Sequence, residues 1–391
     1  MNSDAFMARA LELAQAGEGY TSPNPMVGAV IVRDGRIIGE GFHARPGEAH
    51  AEVAAIENTR EPIAGAEMYC NLEPCSHSTP HKRTPPCADR LIRENIRKLY
   101  VATVDPNPHV NGSGIAALRR AGIEVEVGCL SERALWLNET YFKYIQTGLP
   151  FVHLKMALSV DGRIATRCSD SKWITDAEAR RQVHELRHRY DAVLVGLNTV
   201  RSDDPQLTVR LTSGKQPWRI VLDEHLEIPP EANLLRGEQR AKTLIFTTPA
   251  HDPARRARIE AGGTAVQVVA ADPQGWVDLP AVLRELGSRG ISSLLVEGGA
   301  GVFTGFIRQR LFDKLSIYIA PIIIGAGIEA VGDLGVRKIS QAVRLQHTVY
   351  QVVNQQIRVQ GYRNLEDTFR TLTGNVPCLQ ELSRISAASA R

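Results

Sequence analysis

Apolar runs of strand length alternate with helical patterns along most of this 391-residue chain, and this alternation restricts the fold more than any other feature. Near the start, two apolar runs joined by Asp34-Gly35 predict a hairpin. The predicted segments are a helix from Ser3 to Gly17, strands over 26–32, 36–42, 67–72, 100–105 and 123–127, and helices over 50–58, from Cys87 onward and over 114–121. A hairpin followed by this alternation is typical of an α/β layer architecture.

A second segment of the same kind follows a boundary at Gln146-Thr147-Gly148-Leu149-Pro150, where a helical stretch ends in glycine and proline. Its predicted segments are strands over 152–159, 192–197, 219–222, 243–247, 265–269 and 293–297, a helix over 177–189, and a closing antiparallel pair over 315–324 and 349–361. We therefore expect two α/β domains, residues 1–147 and 148–363, followed by a tail over 364–391 without clear periodicity.

Composition and charge argue against several classes of protein. Hydrophobic residues make up 43% of the chain and charged residues 23%, as in globular domains. The 46 basic and 43 acidic residues give a formal charge of +3, which predicts no general affinity for nucleic acid or acidic membranes. The longest apolar run, 315–327, is broken by proline and glycine and is too short to span a bilayer. Because the N-terminus also lacks the pattern of a secretory leader, we expect a cytoplasmic protein with no membrane partner.

Three short motifs in the first half predict a zinc site. His50-Ala51-Glu52 is followed by Pro74-Cys75 and Pro86-Cys87, which matches the deaminase signature of one histidine, two cysteines and a glutamate that is not a ligand. Two thiolates and an imidazole offset the charge of Zn²⁺ and leave a fourth position for water. Glu52 is then the residue expected to move protons between water, a ring nitrogen and a leaving amine. Because residues i and i+2 of a helix point apart, the site must lie at helix starts.

Other interpretations of these residues remain open. In a closed structural zinc site, the fourth ligand would come from His77, His81 or Cys70, although Cys70 is more typical of a small core residue on its strand. A nucleic-acid base deaminase shares the same motifs but usually needs a basic, aromatic-lined groove, and aromatic residues make up only 6% of this chain. A zinc-stabilised binding protein for a phosphorylated ligand is the alternative that is not an enzyme.

In the second half, the usual dinucleotide fingerprint is missing, but two features are suited to a ligand site. The strand pattern ending at Glu297 leads into Gly298-Gly299-Ala300-Gly301 and a helix near Val302, and such a turn offers backbone N–H groups to a phosphate. The same glycines could instead serve close packing of helix on strand. The run from Asp203 to Arg210 lies in a loop after a predicted strand, where Asp203 could equally be a turn residue ahead of Pro205.

The first-half motifs, taken together, resemble the deaminase domain of the bifunctional deaminase/reductase family of riboflavin biosynthesis. The segments that carry the resemblance are Pro23–Gly28, Gly41–His43, Gly47–Glu52 and Leu72–His77. It implies a cytidine-deaminase-like three-layer α/β/α domain with His50, Cys75 and Cys87 as zinc ligands and Glu52 as the catalytic residue. It also implies that Asn24 and His43 hold the pyrimidine and that Arg83, beside Lys82, holds the phosphate.

From the residues alone, Asn24 would be interpreted as a turn residue and His43 as an exposed histidine at a strand end. Eleven residues separate Cys75 from Cys87, more than is usual in the family. Since lengthening a surface loop costs little free energy, we expect Cys87 still to reach the metal.

The second half resembles the reductase domain of the same family, which has a dihydrofolate-reductase-like α/β fold and uses NADPH. The matching segments are Lys155–Arg163, Trp173–Thr175, Asp203–Arg210 and Val296–Gly299. The residues implied to line the NADPH site are Ala157, Trp173, Thr199, Asp203, Gly299, Ala300, Gly301, Val302, Phe303, Thr304 and Gly305. Those implied to contact or lie beside the substrate are Lys155, Ser171, Arg187, Leu207, Arg210 and Glu297.

The activity implied by the resemblance consists of two steps on one small molecule. Zinc-dependent hydrolytic deamination of 2,5-diamino-6-ribosylamino-4(3H)-pyrimidinone 5′-phosphate is followed by NADPH-dependent reduction of the ribosyl side chain to ribityl. The final product is 5-amino-6-ribitylamino-uracil 5′-phosphate. The family also implies a homo-oligomer whose partners are the pyrimidine ribosyl phosphate and the cofactors, with no nucleic acid.

Overall fold

The computed structural model describes residues 3–76 and 85–365, which divide into two compact units. The first unit ends at Gly148, and the second spans Leu149–Leu365. None of the helices within these described ranges is both long and apolar enough to cross a membrane.

The first unit contains a five-stranded sheet in the order β2-β1-β3-β4-β5. β1 pairs antiparallel with β2 and β3, whereas β3, β4 and β5 are mutually parallel neighbours. The elements are α1 (Ser3–Gln15), β1 (Gly28–Arg33), β2 (Arg36–Phe42), α2 (Ala51–Glu57), β3 (Glu67–Cys70), α3 (Cys87–Arg93), β4 (Lys98–Val101), α4 (Ser113–Arg120), β5 (Glu124–Val127), α5 (Ser131–Leu137) and α6 (Glu139–Thr147).

Helices cover both faces of this sheet. Alternate side chains of a strand point to opposite faces, so Ile31 and Val32 of β1 enter different apolar clusters. One cluster joins the sheet to α2, α3 and α4, and the other joins it to α1 and α5. At Gly41 a Cβ atom would lie 2.3 Å from the backbone nitrogen of Ala55, so only glycine lets α2 pack this closely on β2. The three-layer α/β/α prediction is thereby confirmed.

The second unit is built on a nine-stranded sheet in the order β11-β10-β9-β8-β12-β6-β13-β16-β15, with a small β7–β14 pair beside it. Its elements are β6 (Phe151–Ser159), β7 (Arg163–Thr166), α7 (Ala177–Arg189), β8 (Ala192–Gly196), α8 (Leu197–Asp203), β9 (Trp218–Leu222), β10 (Thr243–Thr247), α9 (Pro253–Ala261), β11 (Ala265–Val268), α10 (Leu279–Ser288), β12 (Ser293–Gly298), α11 (Ala300–Arg308), β13 (Lys314–Ala320), β14 (Gly327–Glu329), β15 (Gln346–Val353) and β16 (Gln356–Tyr362).

The strands from β11 to β13 are parallel, and the sheet ends in the antiparallel strands β16 and β15. Parallel strands buried on both faces have continuous apolar sequences, as in Ala192–Gly196, where every residue is buried. The largest apolar cluster packs α10 and α11 on one face of these strands. Because parallel strands end at one edge of a sheet, the C-terminal ends of β6, β8 and β12 lie next to one another.

Two predicted segments differ in kind from the structure, whereas others, such as the strand predicted over 100–105 and observed at Lys98–Val101, differ only in their bounds. Residues 349–361 form a hairpin rather than one strand: β16 pairs with β13, and β15 lies at the sheet edge. The turn at Asn354 has a φ of 53° without any glycine, so the sequence contains no strong turn signal. Asp203 is also not in a loop, because Leu197–Asp203 is helical and the chain leaves this helix at Asp204, with a φ of 41°. Those two expectations were wrong, whereas the α/β prediction for both domains is confirmed.

Candidate active sites

In the first unit, His50, Cys75 and Cys87 converge on one point. Their ligand atoms all lie within 4.8 Å of one another. The Nδ1 atom of His50 is 3.5 Å from the Cys75 sulfur and 3.3 Å from the Cys87 sulfur. In a tetrahedral zinc site with ordinary bond lengths, ligand nitrogen and sulfur atoms are about 3.5 Å apart. The donor set and its spacing therefore fit Zn²⁺.

Two helix starts bring these groups together. His50 is the N-cap of α2, with extended backbone angles of −71° and 159°, and Cys87 is the first residue of α3. Since His50 precedes the helix, its side chain does not follow the helical rotation that would separate it from Glu52. The backbone N–H of Cys87 also donates to the Cys75 sulfur at 3.3 Å. The expected convergence of two helix starts is therefore present.

Glu52 lies in the first turn of α2 beside the three ligands and is only 4% exposed. Burial raises the pKa of its carboxyl, and the nearby Cys75 adds to this rise. A carboxyl whose pKa lies above its ordinary value exchanges protons more readily near neutral pH, which suits a general acid and base.

A closed structural site is less well supported. Within the described ranges, the metal-binding group contains His50, Cys75 and Cys87 and no fourth ligand. Cys70 is fully buried in the apolar cluster beneath α2, as a core residue would be. The other candidate ligands, His77 and His81, lie outside the described residues, as do the predicted phosphate contact Arg83 and its neighbour Lys82.

Asn24 and His43 contact each other at the edge of this site. Asn24 Nδ2 lies 3.1 Å from His43 Nε2, and His43 Nδ1 lies 3.1 Å from the carbonyl oxygen of Ala49. Because a carbonyl only accepts, Nδ1 carries the proton and Nε2 accepts from the Asn24 amide. His43 is 3% exposed, and burial lowers the pKa of its imidazole. It is therefore not an exposed histidine at a strand end. Its hydrogen bond to the Ala49 carbonyl holds the residue that precedes His50.

Glu73 is a residue of this site that the sequence analysis did not assign. Its carboxylate is 3% exposed and accepts four backbone N–H groups at 2.9–3.2 Å, from Asp105, Gly112, Gly114 and Ile115. These bonds fasten the segment after β4 to the chain two residues before Cys75. The only sequence signal was its place in the Leu72-Glu73-Pro74-Cys75 motif.

Asp105 is a second unassigned acid of this unit. Its Oδ1 accepts from the Tyr141 hydroxyl at 2.8 Å, and burial raises the pKa of its carboxyl to about 6. A buried carboxyl with such a pKa is more common at functional sites than elsewhere.

In the second unit, one cavity of about 2010 Å³ adjoins the C-terminal ends of β6, β8 and β12. All the residues implied to bind NADPH or substrate in this half line it: Lys155, Ala157, Ser171, Trp173, Arg187, Thr199, Asp203, Leu207, Arg210, Glu297 and the seven residues Gly299–Gly305. Ligand pockets typically measure about 300–1,000 Å³, so this cavity has room for a dinucleotide and a second ligand.

The glycine-rich turn is shaped for close approach. Gly299 has a φ of 88°, which favours glycine, and it caps α11. At Gly298 a Cβ atom would lie 3.1 Å from the hydroxyl oxygen of Thr199, so α8 packs directly against the turn. The first residues of α11 line the cavity, and a helix N-terminus that follows a glycine-rich turn suits a phosphate. Of the same run, Phe303 belongs to the apolar core, and Thr304 donates to the Ala300 carbonyl.

Charged side chains occupy the other part of the cavity. Arg187 Nε and Nη2 donate to the two Glu297 oxygens at 2.6 and 2.8 Å, and both side chains are about nine-tenths buried. Although burial opposes ionisation of Glu297, Arg187 holds the pKa of that carboxyl below its ordinary value. Burial lowers the pKa of Lys155 while Glu297 opposes this shift.

The remaining predicted contacts form a second group. The Ser171 hydroxyl donates to Asp203 Oδ1 at 2.8 Å, so a predicted substrate contact and a predicted cofactor contact bind each other. Trp173 is 64% exposed, with the Arg180 guanidinium 4.5 Å from its ring centre. Leu207 has a buried side chain and a φ of 53°, so its main chain is the part suited to meet a ligand.

His184 and Trp276 are among the residues that line this cavity and that the sequence analysis did not assign. His184 is 4% exposed and accepts the backbone N–H of Arg210. Trp276 is more than half exposed, and a Cβ on Gly301 would lie 3.5 Å from its ring. Neither has a local signal, because each contact joins segments distant in sequence.

Comparison with known proteins agrees with both sites. The family model for the cytidine and deoxycytidylate deaminase zinc-binding region matches residues 1–103, and the family model for the RibD C-terminal domain matches residues 150–359. The riboflavin biosynthesis protein RibD of Aquifex aeolicus is 44% identical over 87% of this chain and 92% of its own length. The Escherichia coli protein of the same name is 38% identical over 88% and 94%.

Solved structures give the same result. RibD of Acinetobacter baumannii superposes with a TM-score of 0.82 at 35% identity, over 92% of this chain and 98% of its own. The Thermotoga maritima diaminohydroxyphosphoribosylaminopyrimidine deaminase/5-amino-6-(5-phosphoribosylamino)uracil reductase gives a TM-score of 0.80 at 38% identity with the same coverage. Identity above 30% across nearly the whole length, together with matches in both halves, shows that the chain belongs to the RibD family of riboflavin biosynthesis proteins.

Proposed function

We propose that this chain catalyses two consecutive reactions on one pyrimidine ribosyl phosphate. The first unit deaminates 2,5-diamino-6-ribosylamino-4(3H)-pyrimidinone 5′-phosphate, and the second reduces the ribosyl side chain with NADPH to give 5-amino-6-ribitylamino-uracil 5′-phosphate. One observation carries the proposal: a His-Cys-Cys cluster with a buried glutamate lies in one unit, and a cavity lined by the family's reductase motifs lies in the other. The proposed domain limits are 1–147 and 148–363, with 364–391 as a tail.

In the deaminase site, His50, Cys75 and Cys87 would hold the zinc. When bound, Zn²⁺ supplies Lewis acidity that makes water a nucleophile near neutral pH. The Glu52 carboxylate would take one proton from the attacking water and deliver it to the ring nitrogen. It would then carry the remaining proton of the added hydroxyl to the leaving amine, which departs as ammonia. Asn24 and His43, joined at 3.1 Å, would hold the edge of the pyrimidine, and Arg83 is the proposed contact for its phosphate.

In the reductase cavity, the N-terminal turn of α11 would hold a phosphate of the cofactor, with Thr199 packed beside it. When bound, NADPH supplies the two electrons of the reduction as hydride. Ala157, Trp173 and Asp203 complete the proposed cofactor wall. Arg187, Arg210, Glu297 and Lys155 would orient the ribosyl phosphate, with Ser171 and the Leu207 main chain alongside.

Mass spectrometry of the diaminopyrimidine ribosyl phosphate after incubation with zinc-loaded protein and NADPH tests the proposal directly. We expect a product that has exchanged an amine for oxygen and gained two hydrogens. Without NADPH only the oxygen exchange should appear. Unchanged substrate in the presence of stoichiometric zinc would refute the deaminase assignment, and oxygen exchange without hydrogen gain would refute the reductase assignment.

Replacing Cys87 by serine should remove zinc and deamination together. The sulfur is 3.3 Å from His50 Nδ1, and a serine hydroxyl is a poor substitute for a thiolate that offsets the metal charge. Zinc content measured by elemental analysis should fall well below one ion per chain, while reduction of the already deaminated substrate continues. Cys168→Ser is the matched control, since Cys168 is an exposed cysteine of the second unit. Full zinc occupancy in Cys87→Ser would contradict the ligand set.

The chain is further proposed to form a homo-oligomer through β15. This edge strand contains no lysine or acidic residue, although such residues usually protect an edge, and it exposes Tyr350 and Val352 by 70% and 74%. A second copy of the chain, with its own β15, offers a self-complementary antiparallel partner. Sedimentation analysis of Val352→Lys should show dissociation, while Ala250→Lys, with the same charge on an exposed turn, should not. An unchanged sedimentation coefficient for Val352→Lys would exclude this edge as the contact.

A cytoplasmic location and the absence of a nucleic-acid partner remain proposals. A formal charge of +3 provides little attraction for a polyanion. Thiolate ligands and a reaction that consumes NADPH both suit a reducing compartment.

A further inference from the structure

Two histidines on α7 hold the loop that carries Arg210. His184 and His188 lie one helical turn apart, and each accepts a backbone N–H at Nδ1. His184 accepts from Arg210 at 3.0 Å, and His188 accepts from Lys215 at 2.9 Å. The segment 208–216, called here the Arg210 loop, is thus joined to one face of the helix at two points.

The first of these points lies inside the reductase cavity. His184 lines the cavity together with Arg187, Arg210 and Glu297, whereas His188 does not. His184 is 4% exposed, and its Nδ1 also lies 3.5 Å from the N–H of Leu211. The Nδ1 atom of His184 is therefore within hydrogen-bonding distance of two consecutive backbone N–H groups, those of Arg210 and Leu211.

Other contacts close the Arg210 loop on itself, and the Arg210 side chain reaches the Thr208 hydroxyl at 3.5 Å, but the N–H of Arg210 depends on His184. The Gln216 amide binds both the N–H and the carbonyl of Val209 at 2.8 Å, and Arg187 Nη1 donates to the Thr208 carbonyl at 3.1 Å. At the far end, Lys215 pairs with Asp191 at 3.0 Å. These bonds fix residues 208, 209 and 215, whereas the N–H groups of residues 210 and 211 are held by His184.

The electrostatic surroundings keep His184 in the form that can accept. Burial, followed by the charges of Arg187 and Arg210, lowers the pKa of this imidazole to about 4. The ring is therefore neutral at physiological pH. With Nδ1 accepting, the proton resides on Nε2. A protonated ring would carry hydrogen on both nitrogens and could not receive the Arg210 N–H.

We infer that His184 is a positioning residue for anion binding in the reductase cavity: it fixes the main chain of Arg210 so that the guanidinium meets the phosphate of the ribosyl substrate. The inference rests on the proposed function, because it takes Arg210 as the phosphate contact. It can be tested without the reductase reaction, since the binding of any ligand with a ribose 5-phosphate group would be affected. Loss of the hydrogen bond that holds this backbone should weaken binding of the phosphate ligand by about tenfold.

The decisive comparison is between His184→Leu and His184→Asn. Leucine removes the acceptor, whereas the Asn Oδ1 atom can replace Nδ1 at nearly the same distance from the helix. We expect His184→Leu to raise the KM of the deaminated ribosyl phosphate and the Kd of ribose 5-phosphate, measured by titration calorimetry, by about tenfold. His184→Asn should restore both to within about threefold, and the Kd of NADPH should stay within about twofold in either variant.

His188→Leu is the matched control, because it removes the same kind of bond from the next turn of the same helix. Its effect on either constant should stay below about threefold, since its bond holds Lys215 and not Arg210. A double-mutant cycle gives the second test: in an Arg210→Ala background, His184→Leu should have almost no further effect on ribose 5-phosphate binding.

Additive effects of the two substitutions, or equal losses in His184→Leu and His184→Asn, would overturn the inference. So would an Arg210→Ala variant with unchanged affinity for ribose 5-phosphate, since Arg210 would then not be a phosphate contact. Failure of the proposed function is distinguishable, because it would appear as wild-type protein that binds ribose 5-phosphate without reducing the deaminated substrate.

Discussion

We expect Glu52→Gln to abolish deamination and to leave the reductase reaction at its wild-type rate. Glutamine has the shape of the protonated glutamate, so it fits the 4% exposed position in the first turn of α2. It cannot take a proton from water, and loss of a positioned general base typically costs about 10²–10⁴ in rate. The metal ligands His50, Cys75 and Cys87 are untouched, so zinc content should remain at one ion per chain. Ammonia release measures the first reaction, and NADPH oxidation with pre-deaminated substrate measures the second.

The matched control for this variant is Glu48→Gln. Glu48 lies four residues earlier in the same segment, but its side chain is 53% exposed and pairs with Arg45. Its replacement should change neither rate by more than about twofold, because exposed ion pairs contribute little. If Glu52→Gln lowered both reactions equally, the two activities would not belong to separate sites. Retention of more than a tenth of the deaminase rate would remove Glu52 from its role as the proton carrier.

The deaminase site was largely predictable because its chemistry is encoded locally. A metal needs particular side chains, and His50, Cys75 and Cys87 each occur in a short motif, with His50 and Cys87 next to predicted helix starts. Helix starts are themselves readable from caps and apolar periodicity. Glu73 was not assigned, because its function is to accept four N–H groups from a segment about 30–40 residues away. Nothing in the residues around Glu73 indicates that pairing.

In the reductase half, the residues were predictable but their neighbours were not. The family motifs identified residues that line the cavity. The sequence pattern did not show that Ser171 would bind Asp203 or that His184 would bind Arg210. In the sequence, a histidine in a polar helix looks like a surface residue, because its burial depends on tertiary contacts. The hairpin at β15 and β16 was missed for a related reason, since its turn at Asn354 adopts a positive φ without glycine.

Glu297→Gln should destabilise the second unit and impair its reaction, in contrast to the change at Glu52. Glu297 neutralises Arg187 through two short bonds, and Lys155 also lies within its electrostatic reach. Glutamine leaves the buried Arg187 and the partly buried Lys155 without a counter-charge. Removing one partner of a buried ion pair typically costs about 3–5 kcal/mol. We therefore expect a clear fall in the melting temperature of the reductase transition and a large rise in the KM of the ribosyl phosphate, with deamination unchanged.

Destabilisation of this kind must be separated from a loss of substrate contacts, and the double variant Arg187→Met/Glu297→Leu does so. Replacing both members of a buried pair by apolar side chains of similar volume is often neutral or stabilising, so the melting temperature should recover. The reductase rate should stay low, because the groups that orient the ribosyl phosphate have been removed. If the double variant regained activity along with stability, Arg187 and Glu297 would be structural residues only. If Glu297→Gln kept both the wild-type melting temperature and the wild-type KM, the buried pair would contribute to neither.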